Sequence, residues 1–182
     1  MKTNIELSAQ RYFITRLKKL PYHECLINKD YREDGLAQII ISKKMPSGNY
    51  CYVIFLLDVF CLGLKKALYN YNFDKTDYNA IKHKIIGVQE FIPLDIVAVH
   101  NLIYAIIDKA EAIGFKPHEN FAVAEYILDA DLIDDGIDEV EFGLKGKPFF
   151  ISGPYDDEYR ILKILERTVG VGNFEYAIED DE

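Results

Sequence analysis

The sequence predicts an α+β fold: two β-hairpins, at about 36–57 and 140–152, packed with about six helices in a single compact unit. Strand-like runs rich in β-branched and aromatic residues occur as neighbouring pairs joined by turn residues. The stretches between the pairs repeat their apolar residues every three to four positions, so helices are gathered between hairpins and do not alternate with single strands. The 182 residues, 49% hydrophobic and 13% aromatic, can fill one core, which at this length removes about 70% of the unfolded surface from water. No fixed-period repeat or low-complexity linker divides the chain, so residues 1–182 are read as one domain.

Taken in order, Ser8 to Leu20 places Ala9, Phe13, Leu17 and Leu20 on one helical side, with Arg11, Arg16, Lys18 and Lys19 elsewhere, and Pro21 ends it. After an irregular stretch, Leu36 to Ser42 reads as a strand, Lys43 to Asn49 as a turn, and Tyr50 to Leu57 as a strand apolar on both faces, hence central. Asp58 follows, and Phe60, Leu64 and Leu68 predict a short helix within 59–69. A helix over Asp77 to Gly87 is capped by Thr76 or Asp77. A longer one runs from Pro93 to Ile113 and stops at Gly114. GFKPHEN connects it to a second helical face at Phe121, Ala124, Ile127 and Leu128, predicting an antiparallel pair. Val140 to Leu144 and Lys147 to Ser152 form the second hairpin about Lys145-Gly146, with Pro148 marking an edge strand. Asp156 caps a final helix through Val169.

Charge divides along the chain. Residues 1–91 hold 14 Lys and Arg against 9 Asp and Glu (net +5), while residues 92–182 hold 7 against 21 (net −14). A basic half suggests a polyanion, but an acidic half in the same domain suppresses long-range attraction for one, which disfavours nucleic acid. Cys25, Cys51 and Cys61 have neither the even count of a disulfide framework nor a CxxC pair, so reduced cytoplasmic thiols are expected. The first ten residues lack a signal-peptide apolar stretch, and the most apolar window, Tyr50 to Leu64, contains Asp58 and is too short to span a bilayer. No membrane role is expected.

Four residues are the candidates for chemistry. Asp58 directly follows a buried strand, where a metal-binding or acid–base carboxylate is often placed, although a helix N-cap is the simpler role. His100 borders the buried stripe of the long helix, where a hydrogen-bonded core histidine competes with acid–base or metal work. His118 and Glu119 stand at the start of the next helix, where the imidazole is expected to be neutral. No HExxH pair accompanies them, and the metal is left unspecified. The acidic run Asp129 to Glu141 fails as a calcium loop: starting at Asp131, Ile133 takes position three and Phe142 the twelfth, where oxygen ligands are required. His23 and Cys25 share a segment without forming a recognisable thiol–base motif, and Cys51 and Cys61 lie in apolar surroundings that keep thiols inert. In SGPYDDE, Asp156, Asp157 and Glu158 occupy and repel the place of a phosphate at the helix start. No Walker, Rossmann, GxSxG or kinase signature occurs, so no cofactor is implied.

The stretches YHECLIN, GLAQIIISKK, FLLDVFCLGLKKALY, GFKPHENFAVAEYIL, EFGLKGKPFFISGPYDDE and LERTVGVGNFEY, spanning most of 22–176, resemble an uncharacterised family of bacterial cytoplasmic proteins. The resemblance implies a bacterial, cytoplasmic, single-unit protein and carries over no activity and no site residue.

The favoured function is a soluble, non-enzymatic or regulatory module that binds a protein partner through its aromatic-rich surface or its acidic half. The alternative is a metal-dependent hydrolase acting on a phosphoester, with Asp58 and His100 as ligands or acid–base groups and His118 and Glu119 assisting. It requires Asp58 and His100 to meet in one pocket. A second alternative places nucleic acid on the basic N-terminal half, with strongly salt-dependent binding.

Overall fold

In the computed structural model, which describes residues 4–87, 89–128 and 140–178, the N-terminal amphipathic segment forms α1 (Asn4–Arg16), followed by a 3-10 turn at Leu17–Lys19. Its Phe13 and Leu17 are fully buried, as their spacing requires. The next segment, taken from sequence as irregular, is a strand, β1 (Tyr22–Asn28). A bulge between Tyr22 and Glu24 interrupts its alternation, which is why the two-residue period did not show. A single turn, α2 (Tyr31–Asp34), ends at Gly35, whose φ of 74° suits glycine. β2 (Leu36–Lys44) and β3 (Tyr50–Asp58) then form the expected first hairpin, paired from Leu36↔Asp58 to Lys44↔Tyr50.

The helix predicted within 59–69 is not formed. In its place β4 (Gly63–Phe73) pairs antiparallel with β3, with Val53 opposite Tyr69 and Phe55 opposite Ala67. The three apolar residues that suggested a helix give way to a full ladder against an already buried strand, and pairing outweighs a weak local preference. β4 turns Leu64, Ala67 and Tyr69 toward the core and leaves Leu68 exposed.

α3 (Lys75–Ile86) is capped by Asp74, which accepts the Asp77 amide, and not by Thr76 or Asp77. Phe91–Pro93 forms β5 against β1, so the long helix α4 (Ile96–Ala112) starts three residues later than predicted, with the Asp95 side chain accepting the Val97 amide. The second member of the expected antiparallel helix pair shrinks to α5 (Phe121–Ala124) and a 3-10 turn at Glu125–Ile127. The second hairpin is reduced to one antiparallel bridge, Leu144↔Lys147. β6 (Phe149–Ile151) instead pairs in parallel with β7 (Glu175–Ala177), a strand without a sequence signal, across the last helix, α6 (Glu158–Thr168). Pro148 stands just before β6, one of the two edge strands of this small sheet, and the Phe149 amide donates to the Phe60 carbonyl. The α6 cap is Asp157, which accepts the Arg160 amide; Asp156 bonds elsewhere.

The result is α+β. The main sheet has the order β4-β3-β2-β1-β5, which puts β3 between two partners, as its apolar run predicts. On one face α1, α4 and α5 cover a core built around Phe13, Ile39, Ile41, Phe55, Ile103 and Ile106. On the other, α3 covers one end, packing Tyr78 on Tyr50, Tyr52 and Ile54. The exposed edge of β4 is blunted: its Leu64 carbonyl accepts the His118 amide, its Ala67 carbonyl accepts Asn120 Nδ2, and the Tyr71 amide is met by Asn70 Oδ1.

Candidate functional site

Asp58 closes β3, and its carboxylate is buried. Oδ1 accepts the amides of Phe60 at 2.9 Å and Cys61 at 2.8 Å. This is the bonding expected of a cap, but the amides belong to the β3–β4 turn and no helix follows, because Gly63 already starts β4. Burial pushes the carboxyl up to about 6, partly offset by the turn amides and by the charge of Lys65. The Lys65 ammonium lies 2.7 Å from Asp156 Oδ2, which also accepts the Gly153 amide at 3.0 Å. Asp58, Lys65 and Asp156 thus form a charged line at the junction of the main sheet and the C-terminal segment.

This geometry separates two roles for Asp58. Asp58→Ala removes the acceptor of two buried amides and should cost about 2–3 kcal/mol at pH 7. Asp58→Asn keeps a carbonyl oxygen for the same amides and removes a buried charge, so its stability should stay within about 1 kcal/mol of wild type. Chemical denaturation of both variants checks this, and an Asn variant as damaged as the Ala variant would show that the charge itself is needed.

His100 is buried on α4, its ring 4.6 Å from that of Tyr104, with Nδ1 3.4 Å from Asn101 Oδ1. Gly63, paired with Asp58, faces Ala110 and Ile106 of the same helix. The six to ten residues back to His100 correspond to roughly 9–15 Å along the helix axis. Asp58 and His100 are therefore not brought together. His118 lies on the loop that seals β4, its amide on the Leu64 carbonyl and its Nδ1 accepting the Asn120 amide at 3.2 Å. Glu119 is exposed beside it.

His23 lies tilted against Tyr50, ring centres 4.7 Å apart, on the α3 side of the sheet, whereas Cys25 packs against the main core. Burial pushes the Cys25 thiol up to about 12, helped by Asp95 and Glu24, and the Cys51 thiol up to about 11. The Cys61 thiol is raised further, by burial and then by Asp58. These are unreactive thiols at neutral pH. Residues 129–139 of the acidic run lie outside the described residues. Among the described residues no three His, Cys, Asp or Glu side chains are gathered so as to hold a metal ion, and no helix is long and apolar enough to cross a membrane.

Sequence reasoning missed a second polar cluster, on the α3 face. The Tyr78 hydroxyl donates to Glu24 Oε1 at 2.6 Å and lies 3.0 Å from Ser42 Oγ, while Lys82 Nζ bonds both Glu24 oxygens at 2.9 and 3.1 Å. The signal available was Tyr78, Ile81 and Ile85 on one side of a helix that is otherwise polar but for Ala80 and Ile86. The partner Glu24 was hidden because β1 itself was not recognised. With Tyr78 and Ser42 both buried, this network anchors α3 to the sheet.

The chain matches no protein-family model, and no curated protein or solved structure matches it.

Proposed function

We propose that the protein is a non-enzymatic binding module that engages a protein partner through the aromatic surface of its C-terminal segment. The supporting observation is exposure. Tyr155 is 98%, Tyr159 75% and Tyr176 57% exposed, and Val171 is 84% exposed. Tyrosine is a residue of binding hot spots, offering a large rigid apolar ring and a polar tip, and its full exposure on a free protein leaves that contact area unused. Of the ten large hydrophobic residues exposed among the described residues, six fall between Leu144 and Tyr176. Ser152 donates its amide to the Ala177 carbonyl and its hydroxyl to Glu158, which sets the end of β7 beside the start of α6. Tyr159 on α6 has Lys163 over its ring, and charges of both signs, Arg160, Lys163 and Arg167 with Asp157 and Glu166, follow along the same segment, as the rim of a protein interface carries.

The test is capture from the native cell. Full-length protein and the variant Y155S/Y159S/Y176S are expressed at native level and cross-linked, and partners are identified by mass spectrometry. Because all three side chains are exposed, the variant should melt within a few degrees of wild type while losing the enriched partner. A partner retained by the variant, or none enriched by wild type, overturns the proposal.

A further inference from the structure

Of the sheet edges, β7 is left open where the others are closed or weakened. The β4 edge is met by His118, Asn120 and Asn70. On β5 the Glu90 carbonyl and the Leu94 amide bond to β1, which leaves Phe91 and Pro93 facing out, and proline has no amide to offer. The outer side of β6 is held by the Phe60 carbonyl. On β7 the Glu175 amide bonds to the Pro148 carbonyl and the Ala177 carbonyl to the Ser152 amide, both on the β6 side. Successive residues of a strand turn their main-chain groups to opposite sides, so the N–H and C=O of Tyr176 point away from β6. Among the described residues no hydrogen bond meets either group, and all three residues of β7 are exposed.

We infer that the protein partner lays an extended segment bearing lysine or arginine along β7, as a third strand of the small sheet. The inference rests on the partner-binding reading and names the chemistry of what binds. Charge selects the occupant. Five of the eight residues from Glu175 to Glu182 are acidic and none is basic, so a cationic segment is drawn to this edge and an acidic one is repelled. A second copy of the chain would bring the same five acids to β7, together with a net charge of −9. An antiparallel segment exchanges both outward bonds of Tyr176 with a single residue. Because the strand is three residues long, the ladder is short and side chains supply the rest of the contact. The Phe174 and Tyr176 rings, with centres 6.3 Å apart, offer an apolar strip for it.

Two short peptides serve as probes, alternating valine or threonine with lysine in one and with glutamate in the other, titrated into the full chain and followed by NMR. The lysine peptide should bind saturably and protect the Tyr176 amide from exchange about tenfold or more, while the glutamate peptide should not bind. Tyr176→Pro removes the outward N–H along with the ring and touches no group bonded to β6, whereas Tyr176→Ala removes the ring alone. The proline variant should therefore bind the lysine peptide about fivefold more weakly than the alanine variant. No binding of the lysine peptide, binding that leaves Tyr176 unprotected, equal binding of both peptides, or no difference between the two variants overturns the inference. Protection of Tyr176 that rises with protein concentration alone also overturns it, because a second copy then fills the edge. Should Tyr176→Pro not fold, protection of the Tyr176 amide in wild type decides. In the capture experiment, a partner lost from Y155S/Y159S/Y176S but kept by Tyr176→Pro leaves the binding-module reading standing and overturns the added strand.

Discussion

Gly63→Val should unfold the protein or lower its stability by about 2–6 kcal/mol, seen as a melting point reduced by about 5 °C or more or as insoluble expression. Two costs combine. Gly63 has a φ of 72°, a left-handed conformation that a β-branched residue adopts only at about 1–3 kcal/mol. Any Cβ built there stands 2.5 Å from the Ala110 Cβ on α4, well inside contact distance. Relieving that overlap means moving α4 off the sheet, and α4 supplies Val99, Ile103, Ile106 and Ile107 to the core. Overpacking of this kind typically costs about 1–3 kcal/mol more. Gly63→Ala carries the same contact and most of the strain, so it should be damaged to a similar degree. A valine variant melting within two degrees of wild type would mean that β4 does not lie against α4 as described.

Tyr78→Ala should cost about 4–6 kcal/mol and act selectively on α3. The ring is almost wholly buried and stacks on Tyr50 with centroids 4.9 Å apart, and removing a buried aromatic ring costs about 3–5 kcal/mol. Losing the hydroxyl withdraws one partner from Glu24 and one from Ser42, adding about 1 kcal/mol, since Lys82 still holds Glu24. Tyr78→Phe isolates that smaller part and should cost about 1–2 kcal/mol. In hydrogen exchange the alanine variant should lose protection across 75–86 well before the main sheet does. Equal loss of protection in α3 and in β2 would show that the helix and sheet open together.

What was legible depended on whether a segment's role was written in its own side chains. Tyr50 to Leu57 announced a central strand because nearly every residue in it is apolar, and the structure surrounds β3 with β2, β4 and helices on both faces. The α4 stripe was legible for the same reason, its period being that of the helix. β4 was not, because Leu64 and Leu68 also fit a helical turn and only the ladder to β3 distinguishes the two. β7 carries three exposed residues and exists through bonds to β6. Among the site candidates, Asp58 was read as a helix N-cap, whereas it accepts the Phe60 and Cys61 amides of a strand-to-strand turn, because the next residues lead into β4.

The sequence by itself determined the α+β class, the first hairpin, the amphipathic faces of α1 and α4 and the existence of α6, because periodicity and side-chain chemistry are local quantities. Only the tertiary structure decided that 63–73 is a strand, that the C-terminal strands run parallel, and that Lys65 meets Asp156 ninety-one residues away. Those features come from pairings between distant segments, whose free energy arises when both partners are already in place and which no window along the chain contains.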